Sequence, residues 1–247
     1  MLDRFMVDPQ ANAQAVVILA ALIVSWIISL TLTLRADPVP GAKSWYTAMP
    51  LVFTALGLPA ALDLLQTGGG VTLALGAVSF AALVLNSAMA LLRLAEKSPR
   101  GIVEDWHRWA VPVLVAGGLA VAGYLTFVEV TDIPPACGPL GDCGTVQASP
   151  YATLFGVLPV GMFGLAGYLA ILAAWLIQQF GPQALNRLSA VAIWGMGIFG
   201  VLFSAYLTYL EPFVIGATCM WCTTSALVMI LLLWVSTPAA QEALSNK

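Results

Sequence analysis

Charge is scarce in this chain. Asp, Glu, Lys and Arg together make up 9% of its 247 residues, and the formal net charge is −3. No basic field exists that would attract nucleic acid. Histidine is nearly missing as well: His107 is the single one, which leaves little for imidazole chemistry and makes metal enzymes and His-based hydrolases poor candidates. The sequence carries no haem or flavin motif. What fills the space is apolar, with 60% hydrophobic residues and a mean hydropathy of +0.93. Such a composition lies outside the range of soluble domains and belongs in a bilayer.

Crossing the hydrocarbon core takes about 20 apolar residues in a helix, because each residue rises ~1.5 Å and every amide must be bonded internally. Seven segments qualify: roughly Ala15 to Leu34, Trp45 to Gln66, Val71 to Ala95, Trp109 to Val130, Tyr151 to Ile177, Leu188 to Leu210 and Cys219 to Trp234. The first is too long for a signal-peptide core and no small-residue cleavage site follows it, so it counts as a span. Pro50 and Pro59 interrupt the second, and Asp63 lies near its end, where an interfacial position is the plainer reading and a functional carboxylate the sharper one. With seven spans, Arg35, Lys43, Arg93, Lys97, Arg100, Arg108, Arg187 and Lys247 share one side, and only Arg4 dissents. That side is expected to be cytoplasmic, with the amino terminus outside and the carboxyl terminus inside. The polar stretch Glu96 to Arg108 divides a three-helix part, residues 1–100, from a four-helix part, residues 101–247. The expected fold is thus an all-α integral membrane protein.

All four cysteines fall in the second part. Cys137 and Cys143 sit in the loop Asp132 to Pro150, which lacks Lys and Arg; Cys219 and Cys222 open the last span. Two crossings separate the pairs, so both face the extracytoplasmic side, where disulfides persist. The Cys219-Met-Trp-Cys222 spacing puts both sulfurs in the first turn of a helix, where they can bridge and where the positive dipole end favours a thiolate. A loop pair beside a helix pair suits sequential exchange, since a thiolate must reach a disulfide sulfur at covalent range. Cys222 lies a turn deeper than Cys219, nearer the acyl region where a lipid-soluble oxidant such as a quinone would dissolve. Thr223, Thr224 and Tyr124 are candidate hydrogen-bond donors to such a ring, and Trp221 could stack on it. Two inert structural disulfides, or a four-sulfur zinc site, would use the same residues.

The combination Cys137-x5-Cys143, Ser149-Pro-Tyr, Gly156-Val-Leu-Pro159 and Cys219-Met-Trp-Cys222-Thr-Thr resembles the vitamin K epoxide reductase family over about Trp109 to Ser236. The resemblance implies a four-helix bundle around a quinone, ubiquinone or menaquinone, with the two cysteine pairs relaying electrons. Position by position it implies that Cys222 meets the quinone, with Ser149 nearby. Cys219 is then the partner of Cys222, Cys143 the shuttle that attacks Cys219, and Cys137 the sulfur that bonds an external thiol protein. A turn serine before Pro150 is an equally good structural account of Ser149. The animal enzymes carry a tyrosine where Ala226 stands here and an asparagine in the second bundle helix, whereas this chain has no Asn from Tyr151 to Ile177. A bacterial, DsbB-like role in disulfide formation therefore fits better than epoxide reduction, in a bacterial inner membrane. Many bacterial relatives carry a fused thioredoxin-like domain. Here a separate periplasmic, thioredoxin-fold (DsbA-like) partner is expected, because the chain ends at Lys247 soon after the last span. The competing reading is a non-catalytic membrane scaffold with two structural disulfides.

Overall fold

The computed structural model describes residues 2–34, 52, 55, 57–66, 73, 76–84, 100–137 and 141–245. Long runs of Ala, Leu, Val and Gly can satisfy their amides in lipid only as helices, and four of the described helices are long and apolar enough to cross a membrane. They are α5 (Arg100–Thr131), whose membrane portion begins at Trp109, α7 (Val160–Phe180), α8 (Gln183–Leu210) and α9 (Met220–Ser245). Before them come α1 (Leu2–Phe5), α2 (Pro9–Leu34) and two helical stretches, α3 (57–66) and α4 (76–84). A short helix, α6 (Cys143–Gln147), lies between α5 and α7.

Each of the four long helices touches two others: α5 packs on α7, α7 on α8, α8 on α9, and α9 back on α5. The most buried is α9, whose stretch Leu227 to Val235 is apolar on every side, as a helix enclosed by others must be. Leu227, Ile230, Leu232 and Leu233 are its core residues. Outer faces carry exposed Val113, Phe180, Leu188 and Leu202, the expected lipid surface. Against this ring leans α2, which contacts α8 and α9. It starts at Pro9 rather than Ala15, because Asp8 accepts the Ala11 amide at 3.2 Å and proline suits the first helical position.

Three further boundaries differ from the sequence reading. The span expected from Tyr151 begins only at Val160. Residues 150–159 instead form a 3-10 turn, Pro150–Ala152, and a hairpin of β1 (Thr153–Leu154) with β2 (Leu158–Pro159), in register Thr153 to Pro159 and Leu154 to Leu158. Pro150 and Pro159 supply no amide to a helix, and the chain reverses through left-handed Phe155 and Gly156. At the other end, α9 runs past Pro238 to Ser245. Ser236 and Thr237 there turn their hydroxyls onto the Leu233 carbonyl, at 3.2 and 2.6 Å. Residues 100–108 are helical and continuous with α5, so the polar boundary stretch is not a loop there; its part before residue 100 lies outside the described residues. Most of the second and third expected spans, Trp45 to Gln66 and Val71 to Ala95, also lies outside them. Asp63, in α3, accepts from Gln10 at 2.7 Å and from Gln14, which ties α3 to α2.

Candidate redox site

The loop after α5 is fastened before it reaches its second cysteine. Ala136 donates its amide to Tyr124 Oη at 2.7 Å and accepts Trp221 Nε1 at 2.9 Å, and the Tyr124 and Trp221 rings lie 4.4 Å apart. One loop residue is thereby held from α5 and α9 together. Further on, the Asp142 amide donates to the Thr218 carbonyl at 3.1 Å. Gly141, at φ +84°, permits this approach, since a Cβ there would collide with that same carbonyl. Asp142 then caps α6, accepting the Thr145 amide at 3.0 Å and the Thr145 hydroxyl at 2.5 Å. These bonds to Thr145, the hydroxyl's first, hold its carboxyl below the usual aspartate range. Cys143 opens α6 fully buried. It is disulfide-bonded to Cys137 with the Cα atoms 6.0 Å apart.

The second pair is approached through a π turn, Glu211–Ile215, closed by Gly216 at φ +89°. A side chain at Gly216 would press on the Arg4 carbonyl of α1, only 2.9 Å from the position of its Cβ. The turn brings Cys219 to the start of α9, fully buried and free, with Cys222 also free. The Cys222 amide donates to Cys219 Sγ at 3.3 Å. Cys143 and Cys219 belong to one apolar cluster with Val121, Leu125, Val146 and Ala217, and Cys137, Trp221 and Cys222 pack against it. Four sulfurs from two distant stretches thus share one packing unit.

Beside that unit lies a cavity of about 210 Å³. Cys222 forms part of its wall, with Phe163, Phe199, Phe203 and Tyr168 as the aromatic surface. Among the described residues its polar groups are few, Ser149, Ser225, Glu129 and Glu211 among them, with no Lys or Arg. An apolar pocket with a small number of polar groups suits a flat aromatic or quinonoid ring.

Of the residues singled out from sequence, Cys137, Cys143, Cys219 and Cys222 come together. Ser149 lines the cavity while its hydroxyl donates to Val146 O at 2.7 Å, the turn role that was its alternative. Thr223 and Thr224 donate to the Cys219 and Met220 carbonyls of their own helix, at 3.0 and 2.7 Å, and neither lines the cavity. Tyr124 and Trp221 clamp Ala136 rather than face the cavity. The sequence reading passed over two carboxyls. Glu129 accepts the Gly161 amide at 3.0 Å, and Glu211, 3% exposed, accepts the Cys219 amide at 2.9 Å. Glu211 and Cys222 line the same cavity. The signal for both was an acidic residue ending an apolar run, the same signal that drew attention to Asp63.

The profile of the vitamin K epoxide reductase family matches residues 109–237. Thiol-disulfide oxidoreductase LTO1 of Arabidopsis thaliana is 34% identical over 118 residues, 46% of this chain and 31% of that protein. The chain therefore covers about a third of that relative's length. No solved structure matches it.

Proposed function

Starting from its membership of the vitamin K epoxide reductase family, we propose that this multi-pass membrane protein is a thiol-disulfide oxidoreductase that oxidises a thioredoxin-fold partner and passes two electrons to a membrane quinone. One observation carries the reading: the loop disulfide and the free C-x-x-C pair are packed into one cluster, and Cys222 opens from it into an aromatic-lined cavity. Residues 101–247 would be the redox domain, with the cysteines facing the exterior of a bacterial cytoplasmic membrane. Residues 1–100 would be an attached three-helix region.

The proposed order is a chain of thiolate attacks. A partner thiolate attacks Cys137 and breaks the Cys137–Cys143 bond. Cys143 is released and attacks Cys219 in a Cys219–Cys222 disulfide, and Cys222 leaves as a thiolate. The partner's second thiol then resolves its bond to Cys137, and Cys137 retakes Cys143 from Cys219. What results is Cys137 bonded to Cys143 with Cys219 and Cys222 both reduced, the same pairing found here. When bound, a quinone supplies an acceptor for two electrons and two protons. Re-forming the Cys219–Cys222 disulfide releases those electrons beside the cavity, so the net change is partner dithiol to disulfide and quinone to hydroquinone. Within the site, the Cys222 amide stabilises negative charge on Cys219 Sγ. The Tyr124, Trp221 and Thr218 contacts keep the loop within reach.

The test follows quinone absorbance in detergent, with a reduced thioredoxin-fold protein or a small dithiol as donor. Cys219→Ser and Cys222→Ser should abolish turnover with either donor. Cys137→Ser and Cys143→Ser should mainly block the protein donor. Quinone reduction by Cys222→Ser at the wild-type rate would sink the proposal.

A further inference from the structure

Glu211 has no place in that thiol relay, yet it is the most deeply buried carboxyl beside the sulfurs. It is 3% exposed, its Oε2 is held by the Cys219 amide at 2.9 Å, and it lines the same cavity as Cys222. A carboxyl held by an amide in an apolar wall needs a reason, because burying an ionisable group without a cation is costly. The held geometry supplies one. The Cys219 amide fixes one oxygen, the backbone carbonyl of Glu211 itself accepts the Gly216 and Ala217 amides, and the π turn thereby holds the carboxyl at the start of the C-x-x-C segment. Irregular turns of this kind recur at functional sites.

We infer that Glu211 is the general base of the second half-reaction, taking the proton from Cys222 Sγ so that the C-x-x-C dithiol can deliver its electrons to the quinone. The inference rests on the function proposed above. In this step the S–H bond of Cys222 breaks and an O–H bond forms on Glu211, with no change of oxidation state. A negative charge moves from oxygen to sulfur and no new charge is created in the apolar site, which keeps the desolvation cost low. The sulfur–sulfur bond then forms between Cys219 and Cys222, two electrons pass to the quinone, and the protons held on Glu211 and released from Cys219 complete the hydroquinone. Glu211 is left as carboxylate for the next dithiol. A general base must lie beside the proton it takes; Glu211 shares the cavity wall with Cys222 and bonds the amide of Cys219, the other sulfur residue of the pair.

Among the described residues, the ionisable groups around Glu211 are few. Cys219 just before α9 donates its amide to it; Cys222 of α9, Glu129 of α5, Tyr168 of α7 and Tyr151 share its cavity, and Cys143 of α6 is in a disulfide. From α1, Arg4 meets the turn through its backbone at Gly216, and Arg4 and Asp3 are exposed.

The test uses the full chain in detergent with a short-chain ubiquinone and a small dithiol, comparing wild type, Glu211→Gln and Glu211→Asp. Glu211→Gln keeps an oxygen for the Cys219 amide but cannot accept a proton. It should reduce quinone about 10²-fold or more slowly, and the ionisation seen in the wild-type pH–rate profile should vanish. Glu211→Asp should keep a proton-dependent profile at a reduced rate. Formation of the mixed disulfide between Cys137 and a thioredoxin-fold partner should be unchanged in both. A second readout is the pH dependence of Cys222 alkylation, which should shift in Glu211→Gln. Wild-type quinone reduction and alkylation profiles in Glu211→Gln overturn the inference, as does equal loss in both variants with no change in the alkylation profile. A wild type that never reduces quinone sinks the proposed function instead, while the alkylation profile still decides whether Glu211 and Cys222 share a proton.

Discussion

Asp142 joins the loop to the site through two different parts of itself: its amide bonds Thr218 and its carboxyl caps α6 beside Cys143. Because the Thr145 bonds hold that carboxyl below the ordinary range, its stabilising effect is fully present above the unfolded aspartate's ~3.9. It is lost as pH falls through the lower folded value. Acid should therefore loosen α6 while neutral and basic pH leave it intact, seen as faster amide exchange at Thr145 once the intrinsic rate is divided out. Asp142→Asn, which caps about as well, should remove that acid dependence, and Asp142→Ala should weaken the helix by about 1 kcal/mol at neutral pH. If exchange at Thr145 were indifferent to acid in the wild type, the cap would have no such role. One residue earlier, Gly141→Ala should push the loop off Thr218, because the added methyl meets that carbonyl at a left-handed φ. The expected outcome is a slower transfer from a protein donor with small-dithiol turnover retained, and equal rates with both donors would refute it.

At the scale of elements, what could be read from the sequence was what is local. The C-x-x-C at a helix start and the loop pair six residues apart announce themselves by spacing; Cys219 and Cys222 lie at the start of α9, whereas Cys143, expected in a loop, opens the short helix α6. Tyr151 to Pro159 was misjudged as helix because its apolar composition hides a left-handed turn at Phe155 and Gly156 and a closing proline, which together make a hairpin. Glu211 carried a sequence signal, an acidic residue ending an apolar run, but its role was hidden: only a π turn, whose presence no periodicity reveals, carries it back to the amide eight positions ahead. The contact of α2 with the site was equally hidden, since Asn12 Oδ1 accepts the buried Thr218 hydroxyl at 2.5 Å across 206 residues of sequence. Phe5 stacks on Phe213 at 5.4 Å from the same side. The amino-terminal elements thus brace the segment that presents Cys219. Removing either partner of the Asn12–Thr218 bond strands a buried polar group, so Asn12→Ala or Thr218→Val alone should cost about 1–3 kcal/mol and the double variant less than the sum. Thermal unfolding in detergent measures this, and strict additivity would mean the two do not act as a pair.

For the molecule as a whole, the proposed relay requires that two buried sulfurs from opposite ends of the redox region, Cys143 and Cys219, come within bonding range. Both have no exposed surface, and both sit in the cluster formed by Val121, Leu125, Val146 and Ala217. Disulfide formation needs Cα atoms about 4.4–6.8 Å apart with suitably directed Cβ atoms. The Asp142–Thr218 bond serves this by tying the residue before Cys143 to the residue before Cys219. Replacing Cys137 and Cys222 by serine removes each natural partner and leaves the two shuttling sulfurs. The double variant should therefore trap a Cys143–Cys219 disulfide under mild oxidation, detected as a peptide crosslink after proteolysis. The trapped form should resist alkylation at both positions until it is reduced. In intact cells, a membrane-impermeant thiol reagent added after reduction should reach these cysteines from outside and not from the cytoplasm, if the orientation expected from the sequence's basic residues holds. Absence of the crosslink in a folded double variant, or labelling of the two cysteines from opposite faces, would separate the sulfurs and leave the electrons no route to Cys222.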